Sequence, residues 1–104
     1  MTEPQSPLDE IRSLTGAMLE GAHAQDWVTV ANLETVRAAL LREVFEGAAH
    51  PSPEQLAVMA REVLDSDRVL IALGEQARDG VSTELAQLRQ SRKLRSAYAE
   101  NGSE

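Results

Sequence analysis

Apolar residues recur along this chain with a helical period in three separate stretches. The longest starts at Ser52. There Leu56, Met59, Ala60, Val63, Leu64, Leu70, Ile71, Gly74, Ala77, Val81, Leu85 and Leu88 fall on one stripe at 100° per residue. Ser52 suits an N-cap, Pro53 the first helical position, and Gln55 completes a capping box. Gly80 lies off the stripe, and the stripe resumes beyond it in the same phase. A break would reset that phase, so one continuous helix is expected over 53–95. Gly74 lies on the stripe, where its missing side chain would allow close helix approach.

Two shorter stretches precede it. Ser6-Pro7 is a helix start, with Asp9 and Glu10 at the positive end of the dipole. Leu8, Ile11, Leu14, Thr15, Met18, Leu19 and Ala22 then make one face, which predicts a first helix over 7–24. Asp26 is a good N-cap for a second helix over 27–46. Its apolar arc is wide: Trp27, Val30, Ala31, Leu33, Val36, Ala38, Leu40, Leu41, Val44 and Phe45. An arc of that width suggests contact with both other helices. The short link at 24–26 predicts an antiparallel hairpin. Gly47 is expected to end the second helix in a left-handed cap, with His50-Pro51 in the loop that follows. Met1–Gln5 and residues 99–104 are expected to be loose.

The pattern therefore predicts an all-α fold: one domain, an antiparallel helical bundle of three helices with a long third. The third helix should be ~60 Å long and its neighbours ~30 Å each. The two shorter helices cover the long one only to about Ala77. Val81, Leu85 and Leu88 would then overhang with an apolar edge exposed, unless the chain folds back at Gly80 as a short fourth helix. A monomer rarely leaves such a row uncovered. A partner chain, a second copy or the fold-back would cover it.

Composition narrows the function. The chain has 104 residues, no cysteine, 3% aromatics and a formal charge of −7. It can hold a modest core of Leu, Val, Ala and Met, without a large enclosed active site or a disulfide. The charge argues against a nucleic-acid surface, which needs clustered Lys and Arg. Arg89, Arg92, Lys93 and Arg95 do cluster, and there they complement the negative end of the long helix. No run approaches the ~20 apolar residues that span a membrane. The opening residues, with Glu3, Pro4 and Asp9, do not read as a signal peptide. A cytoplasmic location is expected.

Candidate chemistry is sparse. Glu20-x-x-His23 is half of a di-iron motif, but the second half is missing, and no metal or cofactor is expected. No phosphate loop, metal-binding Cys/His set or catalytic triad is present, so an enzyme is not expected. Glu34 and Arg37 point into the apolar arc of the second helix, and Asp67 interrupts the stripe of the third. Buried charges need partners. The three are expected to form a buried polar layer, Arg37 pairing with Glu34 and also with Asp67, unless one is left to hold a partner's polar group. Val58, Val69 and Leu73 lie off the main stripe, and Val69 and Leu73, one turn apart, would form a second small strip. Beside the second helix they suit a groove for an amphipathic helix. Leu94 and Tyr98 form another pair, open to packing or to partner contact.

Several pieces, in order, resemble the FliT family of flagellar export chaperones: Met18-Leu19 before Asp26-Trp27; Leu33-Glu34-x-x-Arg37 before Leu40-Leu41; Val63-Leu64-Asp65-Ser66-Asp67 before Leu70 and Leu73; and Ser91-Arg92-Lys93 before Ala97-Tyr98. The resemblance runs over about 14–98. It implies a cytoplasmic, non-enzymatic chaperone with a small helical bundle. Its client would be the C-terminal part of FliD, the filament cap protein, kept from early assembly and brought to the export apparatus. The export ATPase complex is a further partner of some members, and the activator FlhDC of enterobacterial ones. Those members continue past the Ala-Tyr with a further helix. Only six residues follow Tyr98 here, which puts the transcriptional role in doubt. The expected client groove then lies between the second and third helices, with Leu33, Val36, Leu40, Val69 and Leu73 nearby. Val81, Leu85 and Leu88 would serve the client or a second copy. A regulator that sequesters an activator through the same groove, and a plain structural homodimer, are the competing readings.

Overall fold

The computed structural model describes residues 6–47 and 51–102, with side chains as far as residue 99. It contains three helices: α1 (Pro7–His23), α2 (Trp27–Glu46) and α3 (Pro53–Gly102). The expected loose start at 1–5, the part of the second loop that holds His50, and the last two residues lie outside the described residues.

Each helix begins with a side-chain cap. The Asp9 N–H donates to Ser6 Oγ at 3.2 Å. The Thr29 N–H donates to Asp26 Oδ1 at 3.2 Å, and the Thr29 hydroxyl to Asp26 Oδ2 at 2.6 Å. These two bonds from Thr29, the hydroxyl first, hold the Asp26 carboxyl below its ordinary pKa. At α3 the box is reciprocal: the Gln55 N–H donates to Ser52 Oγ at 3.1 Å, and the Ser52 N–H to Gln55 Oε1 at 2.9 Å.

α2 ends at Glu46 as expected, but its cap and the ends of α1 and α3 differ from expectation. α1 ends one residue early, at His23, and Gln25 takes a left-handed φ of 59°. The Asp26 N–H reaches the Gly21 carbonyl at 2.8 Å, and the Gln25 N–H the Ala22 carbonyl at 3.1 Å. This pair of bonds is a Schellman closure, built without the usual glycine. Gly47, expected to be left-handed, is extended (φ −101°, ψ −170°). A Cβ there would stand 2.5 Å from the Glu43 carbonyl oxygen, so close approach accounts for the glycine. α3 continues past residue 95 to Gly102, and the tail expected from 99 is helical that far. Residues 96–100 hold no glycine or proline to stop it. The fold-back at Gly80 does not occur: α3 passes through Gly80 unbroken, and no glycine has positive φ among the described residues.

Expected as one domain, the chain divides by its contacts into two units, Met1–Leu73 and Gly74–Glu104. In the first unit, two buried clusters join the helices. Ile11, Val44 and Met59 form one, with Leu8, Leu40, Leu41, Leu56 and Val63 packed on it. Met18, Ala22, Val30 and Leu70 form the other, with Leu19, Trp27, Leu33 and Leu73 packed on it. The start of α1 thus meets the end of α2, so those two helices are antiparallel, and α3 runs with α1. Burying each large member contributes about 1.5–3 kcal/mol. The backbones of α1 and α2 approach most closely. Gly21 permits this near the turn, where a Cβ would lie 3.1 Å from Val30 Cγ2. α3 meets the pair through longer side chains.

The phase of α3 is shifted from the predicted stripe. Its inward residues run Leu56, Met59, Val63, Ser66, Leu70 and Leu73. Leu64 and Ile71, expected in the core, are 59% and 61% exposed. An apolar arc broader than one contact face has no unique centre, and here the partner helices set it. The second unit is helix alone. In it Val81, Leu85, Leu88, Leu94 and Tyr98 are exposed.

Candidate functional site

Arg37 is the polar hub of the first unit, at 4% exposure. Its Nη2 donates to Asp67 Oδ1 on α3 at 2.7 Å, and its Nη1 to the Thr15 hydroxyl on α1 at 3.2 Å. Thr15 donates in turn to the Ile11 carbonyl at 2.8 Å. One guanidinium so ties α2 to both neighbours. Its Nε finds no acceptor among the described residues. The sequence placed Arg37 and Asp67 together, but the expected Glu34 pairing is absent, and Glu34 is exposed rather than buried. Glu34 lies on the same face of α2 as Arg37, but slightly farther round the helix, outside the contact. A second link between α1 and α3 lies at the surface, where Arg12 Nε donates to Glu62 at 2.9 Å. Both partners are about half exposed, so it contributes little.

Beside the hub, α2 and α3 leave a groove of about 340 Å³, lined by Met18, Trp27, Val30, Ala31, Glu34, Arg37, Asp67, Leu70 and Ile71. Met18, Val30 and Leu70 are core residues that form its apolar floor. Ile71 offers an exposed apolar wall. Glu34 and Asp67 bring two carboxylates to one end, where Arg37 is already engaged by Asp67 and Thr15. A second groove of about 420 Å³ lies between α1 and α3, lined by Arg12, Thr15, Gly16, Leu19, Met59, Glu62, Val63, Asp65 and Ser66. It is the more polar by residue type.

The residues expected to form the partner groove do not line the first one. Leu33 and Leu73 are half-buried against one core cluster and Leu40 against the other, while Val36 and Val69 are exposed. On α3, Val69 and Leu73 share the side that carries Glu62 and Ser66, which face α1. The groove toward α2 is made on α3 by Asp67, Leu70 and Ile71, about a third of a turn away. Ile71 was within reach of sequence reasoning. Once Met59 and Val63 are taken as the centre of the inward face, Leu64 and Ile71 fall together on its flank. Glu20 and His23 are both exposed, and no group of three or more His, Cys, Asp or Glu could hold a metal ion among the described residues. No helix is long and apolar enough to cross a membrane among the described residues.

The α2–α3 groove thus has an apolar floor and a charged lip. No curated protein matches the chain, and no solved structure does. A family model described as flagellar protein FliT does match, over residues 5–101, which take in α1, α2, both sides of the groove and nearly all of α3; the chain belongs to the FliT family.

Proposed function

We propose that this protein is a cytoplasmic, non-enzymatic flagellar export chaperone that binds the C-terminal region of the filament cap protein FliD. In this reading it prevents early assembly and delivers the cap protein to the export apparatus. The observation that carries the proposal is the family match over 5–101. The groove between α2 and α3 supports it. An amphipathic client helix would lay apolar anchors on Trp27, Val30, Leu70 and Ile71, in the manner of helix-in-groove recognition. Glu34, exposed and outside the Arg37 network, is placed to accept from a Lys, an Arg or a helix N-terminus of the client. The three helices of 7–73 serve as an antiparallel bundle that holds this groove open. Leu33, Leu40 and Leu73, first assigned to the client, support the groove from the core, while Val36 and Val69 stay outside it.

The test is a calorimetric titration with the C-terminal segment of the same organism's cap protein. Saturable binding is expected, with Ile71→Asp abolishing it and Val69→Asp leaving it unchanged. Both side chains are exposed, so both variants should keep their helicity. No binding by a helical sample would sink the FliD reading and turn attention to the export ATPase complex and an FlhDC-type activator. Equal loss in both variants would remove the α2–α3 groove from it.

A further inference from the structure

Arg89, Arg92, Lys93 and Arg95, expected to complement the negative end of the long helix, do not stand there. α3 runs on to Gly102, and its last turn holds no basic residue. Arg95 lies about two turns before that end and Arg89 about three and a half. The dipole acts over a single turn, so it does not reach them. All four side chains are exposed, and none forms an ion pair among the described residues. At spacings of three and four, Arg89 repels Arg92 and Lys93, and Arg92 repels Arg95. Nothing among the described residues offsets that repulsion.

An apolar row leads into these cations. Val81, Leu85 and Leu88 lie at spacings of four and three, and all three are exposed. At 100° per residue Arg92 continues their line, and Arg78, Arg89 and Arg95 stand within about 75° of it. Of the acids between 75 and 99, Glu84 alone shares those flanks, and Glu75 and Asp79 fall on the far side. Residues 85–99 hold four cations and no acid, although residues 1–73, with twelve acids to five bases, carry a formal charge of −7.

We propose that the Val81–Leu85–Leu88 row and the arginines around it dock an acidic amphipathic helix of another protein. Apolar anchors of that helix lie along the row. Its Asp and Glu side chains reach Arg89, Arg92 and Arg95, where guanidinium–carboxylate pairs replace the repulsion between cations. The pattern selects this occupant. Nucleic acid would use the arginines but not a row of Val and Leu. Three apolar side chains, none of them aromatic, give a lipid surface little to hold, and the acids of 1–73 are repelled by anionic headgroups. The inference goes beyond the chaperone reading and does not rest on it, since the cap protein is placed on the first unit.

Fluorescence anisotropy with the full chain, dilute, tests it. The probe is a labelled peptide of about four heptads, Leu at a and d and Glu at e and g, whose own glutamates keep it from pairing with itself. Saturable binding is expected, falling as salt is added. The same peptide with Gln in place of Glu should bind at least roughly tenfold more weakly. Leu85→Glu should abolish binding. Arg89→Glu with Arg92→Glu should weaken it roughly tenfold and favour a peptide with Lys in place of Glu. The same variant should leave the cap-protein titration as it is, so the two readings fail separately. Circular dichroism checks that each variant keeps its helix, and the peptide and salt comparisons need no variant. No binding of the acidic peptide overturns the proposal, whether a second copy or nothing covers the row. Equal binding of the Gln peptide, binding that survives both variants, or tighter binding of duplex DNA or of phosphatidylglycerol vesicles overturns it too.

Discussion

Arg37 shows what a single residue does in this protein. A charged side chain at 4% exposure is held by Asp67 and Thr15, one from each neighbouring helix. Such a hub is asymmetric under mutation. Removing Asp67 leaves a buried cation with only a hydroxyl, whereas removing the cation leaves a partly exposed carboxylate that water can serve. Asp67→Ala should therefore cost roughly 2 kcal/mol or more, and Arg37→Met less than half of that. Chemical denaturation of the two variants checks the order; a larger loss for Arg37→Met would contradict it. The residue scale is also where the sequence was hardest to read. Gln25 adopts φ 59°, a conformation that favours glycine, and nothing in its side chain announces it. The Schellman bonds and the start of α2 at Asp26 impose it.

At the scale of elements, the starts and the end of α2 at Glu46 were legible, and the end of α3 was not. Ser6-Pro7, Asp26 and Ser52-Pro53-x-Gln55 act through local bonds that the residue types alone predict. α3 runs on to Gly102 because no residue between Arg95 and Asn101 opposes it, and the absence of a stop is a weak signal. Gly80 sits within this helix with nothing within 4 Å of where a Cβ would be. Gly80→Ala should stabilise the local helix by about 1 kcal/mol, which slows amide exchange around residues 78–84 about fivefold. Hydrogen exchange by mass spectrometry measures this. Unchanged or faster exchange would mean that the helix is not continuous there in solution.

Over the whole molecule, stability is distributed unevenly. Every buried residue of the two core clusters lies at or before Leu70, and among the described residues from 78 to 99 only Ser91 is less than exposed. Helical bonds without tertiary burial open locally at little cost. In dilute protein, amides at 80–98 should exchange about two orders of magnitude faster than those around Met18, Val30 and Leu70. Uniform protection along α3 would show that something covers its second unit even at low concentration.

The sequence by itself determined that the fold is all helical, where each helix starts, that α3 passes Gly80 in phase, and which family the chain resembles. Each of these follows from local bonds, from periodicity, or from ordered motifs that need no partner to be read. It also put Arg37 beside Asp67, since a buried charge has few acceptable neighbours. The tertiary structure decided the phase of α3, and so which side of it meets α2. Leu64 and Ile71 are as apolar as Leu70 and differ from it only in direction. A helix with a broad apolar arc can bury any part of it at similar cost, and the choice falls to the shapes of the helices it meets. That choice set Leu70 and Ile71 along the α2–α3 groove and left Glu34 on its lip instead of in the core, while the turn of α2 back along α1 made Gln25 left-handed.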